Sequence, residues 1–410
     1  MNTPIWFNAS TGIFATTAAI GLANLGCGWY LSNPYLAGGG AAGTAYVVLR
    51  TLSRTRRTVR RQKPTLAQPA RGRPSRQQAD PNDLGAVVRQ MLEQGRYALL
   101  LRPQIAHNLN EDDFDRTLDL LHGAMSLVPD GEVVLGQIDD ALDDGKLDDE
   151  EIATHRSRLV RVGQFFLDRY PVTNEQFHEF VIAGGYEQAA LWEPSVLPAV
   201  LDFVDQSGQP GPRYWSEGVY PSDKADHPVV GVSWYEAQAY ARWVGKRLPT
   251  DAEWVKAGSW PVRVSPTSRL QRRYPWGDTM DREKANLWAG GRTATVSVAE
   301  YTQGGSVGGI YQLIGNVWEW TRGNFALRGA DGEELLLEPS LKCIRGGAFD
   351  TYFENQATCQ FASGESALAR KANIGFRCAV GVGDLVLAHP GAHPPAECEA
   401  EAPALEEVGV

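Results

Sequence analysis

Acidic residues are missing from the first 79 positions of this 410-residue chain, and no charged side chain of either sign precedes Arg50. Five cysteines (27, 343, 359, 378 and 398) are too few and too scattered for a disulfide framework, and no C-x-x-C or Cys/His cluster offers a zinc site. Their pattern suits reduced, mostly buried thiols in a reducing compartment. Histidine is scarce too. The seven, at 107, 122, 155, 178, 227, 389 and 393, are spread along the chain. Beyond Arg377 there is no Lys or Arg, and residues 383–410 form an acidic tail rich in Pro, Ala and Glu, with no core of its own.

The uncharged start has room for a membrane segment. Residues 11–32 are an apolar run long enough to cross a bilayer as one helix, and Asn33-Pro34 breaks it before a shorter, glycine-rich run at 35–49. Residues 1–50 therefore read as a transmembrane anchor, with a tight hairpin as the alternative to a single span. Ala15, Ala19, Ala23 and Cys27 fall on one helix face, as do Gly39 and Gly43, which permits close helix packing. The following stretch, 51–82, is a basic, Pro- and Arg-rich linker. Its strip of Arg54, Arg56, Arg57, Arg60, Arg61 and Lys63 fits the positive-inside rule and suits anionic inner-leaflet lipids. The expected location is a bacterial-type inner (cytoplasmic) membrane, with the bulk of the chain on the cytoplasmic side. A cleaved signal peptide would carry its basic stretch ahead of the apolar run, and here there is none.

Residues 83–124 show helical spacing and read as a short helical connector, with Asn110 as an N-cap above Asp113. From about 125 to 382 the texture changes to short strands, many turns and many aromatics, and nine of the twelve tryptophans lie between 215 and 320. Large side chains fill the irregular space of a loop-rich domain. One helix is plain at 233–245, where Ser233 and Glu236 form a capping-box pattern, and Thr250 with Glu253 repeats it ahead of Trp254. In "GNVWEW" two tryptophans stand two apart, as on one strand face, with the carboxylate of Glu319 pointing the other way.

Eight blocks occur in order: "MSLVPDGEVVLG" (125–136), "FFLDRYPVTNEQFHEFV" (165–181), "HPVVGVSWYEAQAYARWVGKRLPTDAEWVKAG" (227–258), "YPWGD" (274–278), "ANLW" (285–288), "GIYQLIGNVWEW" (309–320), "IRGGAFD" (344–350) and "NIGFRCAV" (373–380). Together they closely resemble the formylglycine-generating enzyme, or sulfatase-modifying factor, family. The resemblance implies an α+β C-type-lectin-like fold with little regular secondary structure. It also implies where chemistry would sit. Family enzymes bind copper through two cysteines, four and nine residues past the second Gly of "RGG". Here Thr351 and Gln356 hold those positions, and neither an alcohol nor an amide replaces a thiolate for Cu(I). The iron-dependent branch that the chain also resembles, the ergothioneine-type sulfoxide synthases, implies three His ligands with an H-x-x-x-H-x-E pattern that is missing here, so no copper or iron is expected. The resemblance further implies a structural calcium at Asn316, Val317 and Glu319, and a second at Asn286, whose acidic partner is missing from the residues that follow.

These features suggest a membrane-anchored, non-catalytic accessory or scaffold subunit that binds and stabilises a membrane protein complex. Asp350, Tyr352, Phe353, Asn355, Gln360 and Phe361 form its candidate interaction loop. Two alternatives stand beside it: a copper- or iron-dependent oxidase with a relocated site, and a ligand-binding receptor whose loop 347–372 is the variable surface. No nucleic acid and no small-molecule substrate is implied.

Overall fold

The computed structural model describes residues 79–81, 83–136, 146–147, 158–260, 263–264, 269–328 and 334–389. The proposed membrane anchor with its small-residue faces, the basic strip and the tail from 390 onward lie outside the described residues. Among the described residues no helix is long and apolar enough to cross a membrane.

The strands are Met125–Val128 (β1), Gly131–Leu135 (β2), Lys146–Leu147 (β3), Arg158–Val162 (β4), Phe165–Asp168 (β5), Arg263–Val264 (β6), Arg269–Leu270 (β7), Trp318–Arg328 (β8), Glu334–Arg345 (β9), Ala362–Glu365 (β10), Ile374–Gly375 (β11) and Ala379–Gly381 (β12). They form small sheets ordered β1-β5-β12, β10-β9-β8-β11, β2-β4 and β3-β7-β6. The long hairpin β8–β9 is antiparallel, with irregularities between Trp320 and Asn324 and between Phe325 and Ala326, while β11 runs parallel to β8.

Among the described residues, strand alternation divides the interior into three cores. In β5, Phe165 and Leu167 join a core with Trp254, Val255 and Leu313, whereas Phe166 between them enters another with Leu100, Phe114 and Val380. A strand covered on both faces reads as a continuous apolar run. The period of two also places Trp318 and Trp320 in the largest core, with Phe177, Phe180, Tyr240 and Phe376. Both capping boxes form: Ser233 with Glu236 starts the helix Trp234–Trp243, and Thr250 with Glu253 starts Asp251–Ser259. Asn110 caps Glu111–Ala124 by accepting the Asp113 N–H.

The 83–124 segment is more than a connector. Its helices supply most of the third core, and Lys246 from the main domain donates to Tyr97 Oη at 2.6 Å and to Asp168 Oδ1 at 2.7 Å. Burial pushes the Tyr97 hydroxyl up to about 12 despite the ammonium beside it.

Candidate functional site

The loop after "RGG" is built from the strand end outward. Arg345 closes β9 and is buried; its Nε donates to Asp251 Oδ1 at 2.9 Å, and its Nη1 reaches the carbonyls of Gln360 and Phe361, both at 3.2 Å. Gly346 has φ +97°, and a Cβ there would lie 2.3 Å from the Leu313 carbonyl oxygen, so only glycine fits. Past Gly347 the chain turns at once. The Ala348 N–H donates to Thr351 Oγ1 at 2.8 Å, and the Thr351 N–H returns to the Ala348 carbonyl at 2.9 Å. Thr351 is thus buried as a turn lock. Gln356 ends a short 3-10 turn, Glu354–Gln356, and is half-buried.

The thiols are elsewhere. Cys343, Cys359 and Cys378 are all free and buried, and burial is the main cause that pushes each thiol pKa up. Cys359 packs against the helix at Gly258, where an added Cβ would come within 2.8 Å of its sulfur. A neutral, enclosed thiol is a poor ligand and a poor nucleophile. Among the described residues no group of three or more His, Cys, Asp or Glu side chains is arranged to hold a metal ion.

The calcium expectation meets a cation already in place. Glu319 is fully buried, and Arg377, equally buried, donates to both its oxygens: Nη2 to Oε1 at 2.7 Å and Nε to Oε2 at 2.8 Å. Trp254 Nε1 adds a third donor to Oε2 at 2.8 Å. Asn316, at φ +65°, spends its side chain within the protein: Oδ1 accepts from Val296 N and Asn286 Nδ2, while Nδ2 donates to Val296 O and Gln312 Oε1. Val317 is buried between them. Oxygens committed to N–H donors, beside a guanidinium, do not fit a hard divalent cation. Asn286 differs, for its Oδ1 is buried without a hydrogen-bond partner.

The interaction loop divides in two. Tyr352 and Phe353 are 59% and 60% exposed, and Asp350 and Asn355 are also on the surface. Asp350 is steadied by Asn373 Nδ2, at 3.1 and 3.0 Å from its two oxygens. Gln360 and Phe361 correct the sequence reading. Gln360 is buried and donates to the Arg272 carbonyl at 2.9 Å, while Phe361 packs against the largest core beside Trp318. The chain dives inward at Ala357, so only its first half faces solvent. Sequence reasoning missed Trp288, which is 54% exposed with its ring 4.7 Å from that of Tyr352. His227 bonds Thr295 Oγ1 through Nδ1 at 3.1 Å.

Helices and small sheets packed around buried cores make this a mixed α+β domain. The chain belongs to the sulfatase-modifying factor enzyme 1-like family, whose model matches residues 113–382. The match starts inside the helix Glu111–Ala124, ahead of the boundary at 125 read from sequence. Among relatives, the formylglycine-generating enzyme of Thermomonospora curvata is 32% identical over 268 residues, covering 54% of this chain and 84% of that one. The hercynine oxygenase of Mycolicibacterium smegmatis is 34% identical over 206 residues, covering 48% of this chain. This chain spans 45% of the length of that oxygenase. Among solved structures, CarF aligns over 63% of this chain and 98% of its own at 18% identity, with a TM-score of 0.43.

Proposed function

We propose that the family domain of this chain works as a binding module, and that its loop has lost copper oxidase chemistry. The observation that carries this reading is the pair of residues at the loop's ligand positions. Thr351 spends its hydroxyl on the Ala348 N–H, and Gln356 offers an amide where soft Cu(I) wants sulfur. The surface just beyond them is rich in exposed aromatics, which suits contact better than turnover. In the full reading, the apolar segment anchors the chain in the inner membrane, the basic strip lies against the cytoplasmic leaflet, and the domain stabilises a membrane protein complex.

Isolation of the full chain in mild detergent tests this. The wild type is expected to travel with a larger assembly, and a Tyr352→Ala/Phe353→Ala variant to travel alone while unfolding at the same temperature. A wild type that runs alone, or that carries stoichiometric copper, would overturn the reading.

A further inference from the structure

The surface over the loop has a charge as well as a texture. Trp288, Tyr352 and Phe353 remain largely exposed yet are held edge to face, at 4.7 Å for the first pair and 5.1 Å for the second. The backbone beneath them is fixed, because the Trp288 N–H donates to the Thr351 carbonyl. Rings left in water but locked in place form a ready contact surface.

Carboxylates flank this platform. Asp350 is held by a neutral amide. Glu354 pairs with Arg282 at 2.6 Å on the rim of a depression of about 730 Å³, lined also by Trp276, Asp278, Asp281 and Glu283. Lys284 lies on the same rim and pairs with Asp281 at 3.4 Å. The depression is thus lined by four acids (Asp278, Asp281, Glu283 and Glu354) against two bases (Arg282 and Lys284), and Asp350 adds an exposed carboxylate two residues before Tyr352.

We propose that this face receives a Lys/Arg-rich segment of a partner protein. Guanidinium and ammonium groups sit over aromatic faces, their aliphatic stems lie along the rings, and the surrounding carboxylates supply the countercharge. The proposal rests on the binding-module reading and names the chemistry of its partner.

The full chain in detergent is titrated with a fluorescent hexa-arginine peptide, with hexa-serine and hexa-glutamate peptides in parallel. Anisotropy is expected to show binding of the first alone. Tyr352→Ala/Phe353→Ala, and separately Asp350→Asn, should each weaken it roughly tenfold. Removing two exposed charges from the helix Glu111–Ala124, by Asp115→Asn/Asp119→Asn, should leave it unchanged. Thermal unfolding of each variant verifies that it is folded. Equal losses in the helix variant and the loop variants, or no loss in either, would overturn the proposal, because attraction would then follow net charge alone. Loop-dependent binding of hexa-serine or hexa-glutamate would overturn the basic partner while leaving the binding module standing. The binding-module reading itself fails separately, when the loop variant still travels with the cellular assembly.

Discussion

Replacing Arg377 with Met removes a buried cation from the Glu319 carboxylate while keeping an apolar chain of similar length. All five guanidinium N–H groups are in use: two on Glu319, and the rest on the carbonyls of Asp168 at 3.0 Å, Arg169 at 3.2 Å and Tyr311 at 2.8 Å. Both partners are fully buried, so water cannot replace what is lost. Breaking such a pair from one side costs about 3–5 kcal/mol. In a domain of this size that lowers Tm on the order of 10 °C. Near-UV circular dichroism during a thermal scan reads the shift directly. The further change Glu319→Gln in the same chain should recover part of the loss, because no charge is then stranded. The same assay tests the metal. A calcium ion at a hundred times its Kd would add ~2.7 kcal/mol, so a clear rise in Tm with calcium, reversed by chelator and abolished by Glu319→Gln, would refute the placement of Arg377. So would an Arg377→Met variant as stable as the wild type.

Acid sensitivity has a defined sign. Burial alone would raise the Asp251 carboxyl, but the Arg345 charge and the hydrogen bonds from Arg345, Cys343 and Thr321 together hold the group below its ordinary value, so its stabilisation is present above about pH 4 and lost as pH falls through the lower folded value. Asp251→Asn should therefore flatten the fall in stability as pH drops below about 4 in urea titrations, and an unchanged slope would contradict this. Cys343, Cys359 and Cys378 should resist iodoacetamide in the native chain and react fully in denaturant, as read by peptide mass spectrometry. A chain beginning at Met125 should lose cooperative unfolding, because removing Tyr97, Leu100, Phe114 and Leu121 bares Phe166 and Val380. Retained cooperativity would mean that the helices are a detachable connector after all.

Local chemistry was legible in the sequence where a short-range rule governs it. Ser233, Thr250 and Asn110 announce their helices because the cap and its partner are three residues apart. The alternation in "GNVWEW" placed Glu319 opposite its tryptophans for the same reason. Its partner was not legible, since Arg377 lies 58 residues further on, where no local pattern connects them. Resemblance filled that gap with calcium, whereas the fold supplies a guanidinium. The loop failed in another way. Its polar and aromatic composition suggested one continuous surface, but buried Gln360 and half-buried Phe361 are pulled in with the backbone that feeds β10, and their carbonyls hold Arg345. Composition cannot tell an exposed aromatic from one packed on Trp318. Trp288 was overlooked because its place beside Tyr352 depends on contacts across 64 residues of chain.

The claim that the loop has given up its metal is tested most directly by copper stoichiometry. The purified full chain, reduced and loaded with Cu(I), is passed against a competing chelator, and its copper is counted beside that of a Thr351→Cys/Gln356→Cys variant. The account predicts no retained copper in the wild type and a gain in the variant. Stoichiometric copper in the wild type, lost on Cys359→Ser, would contradict it.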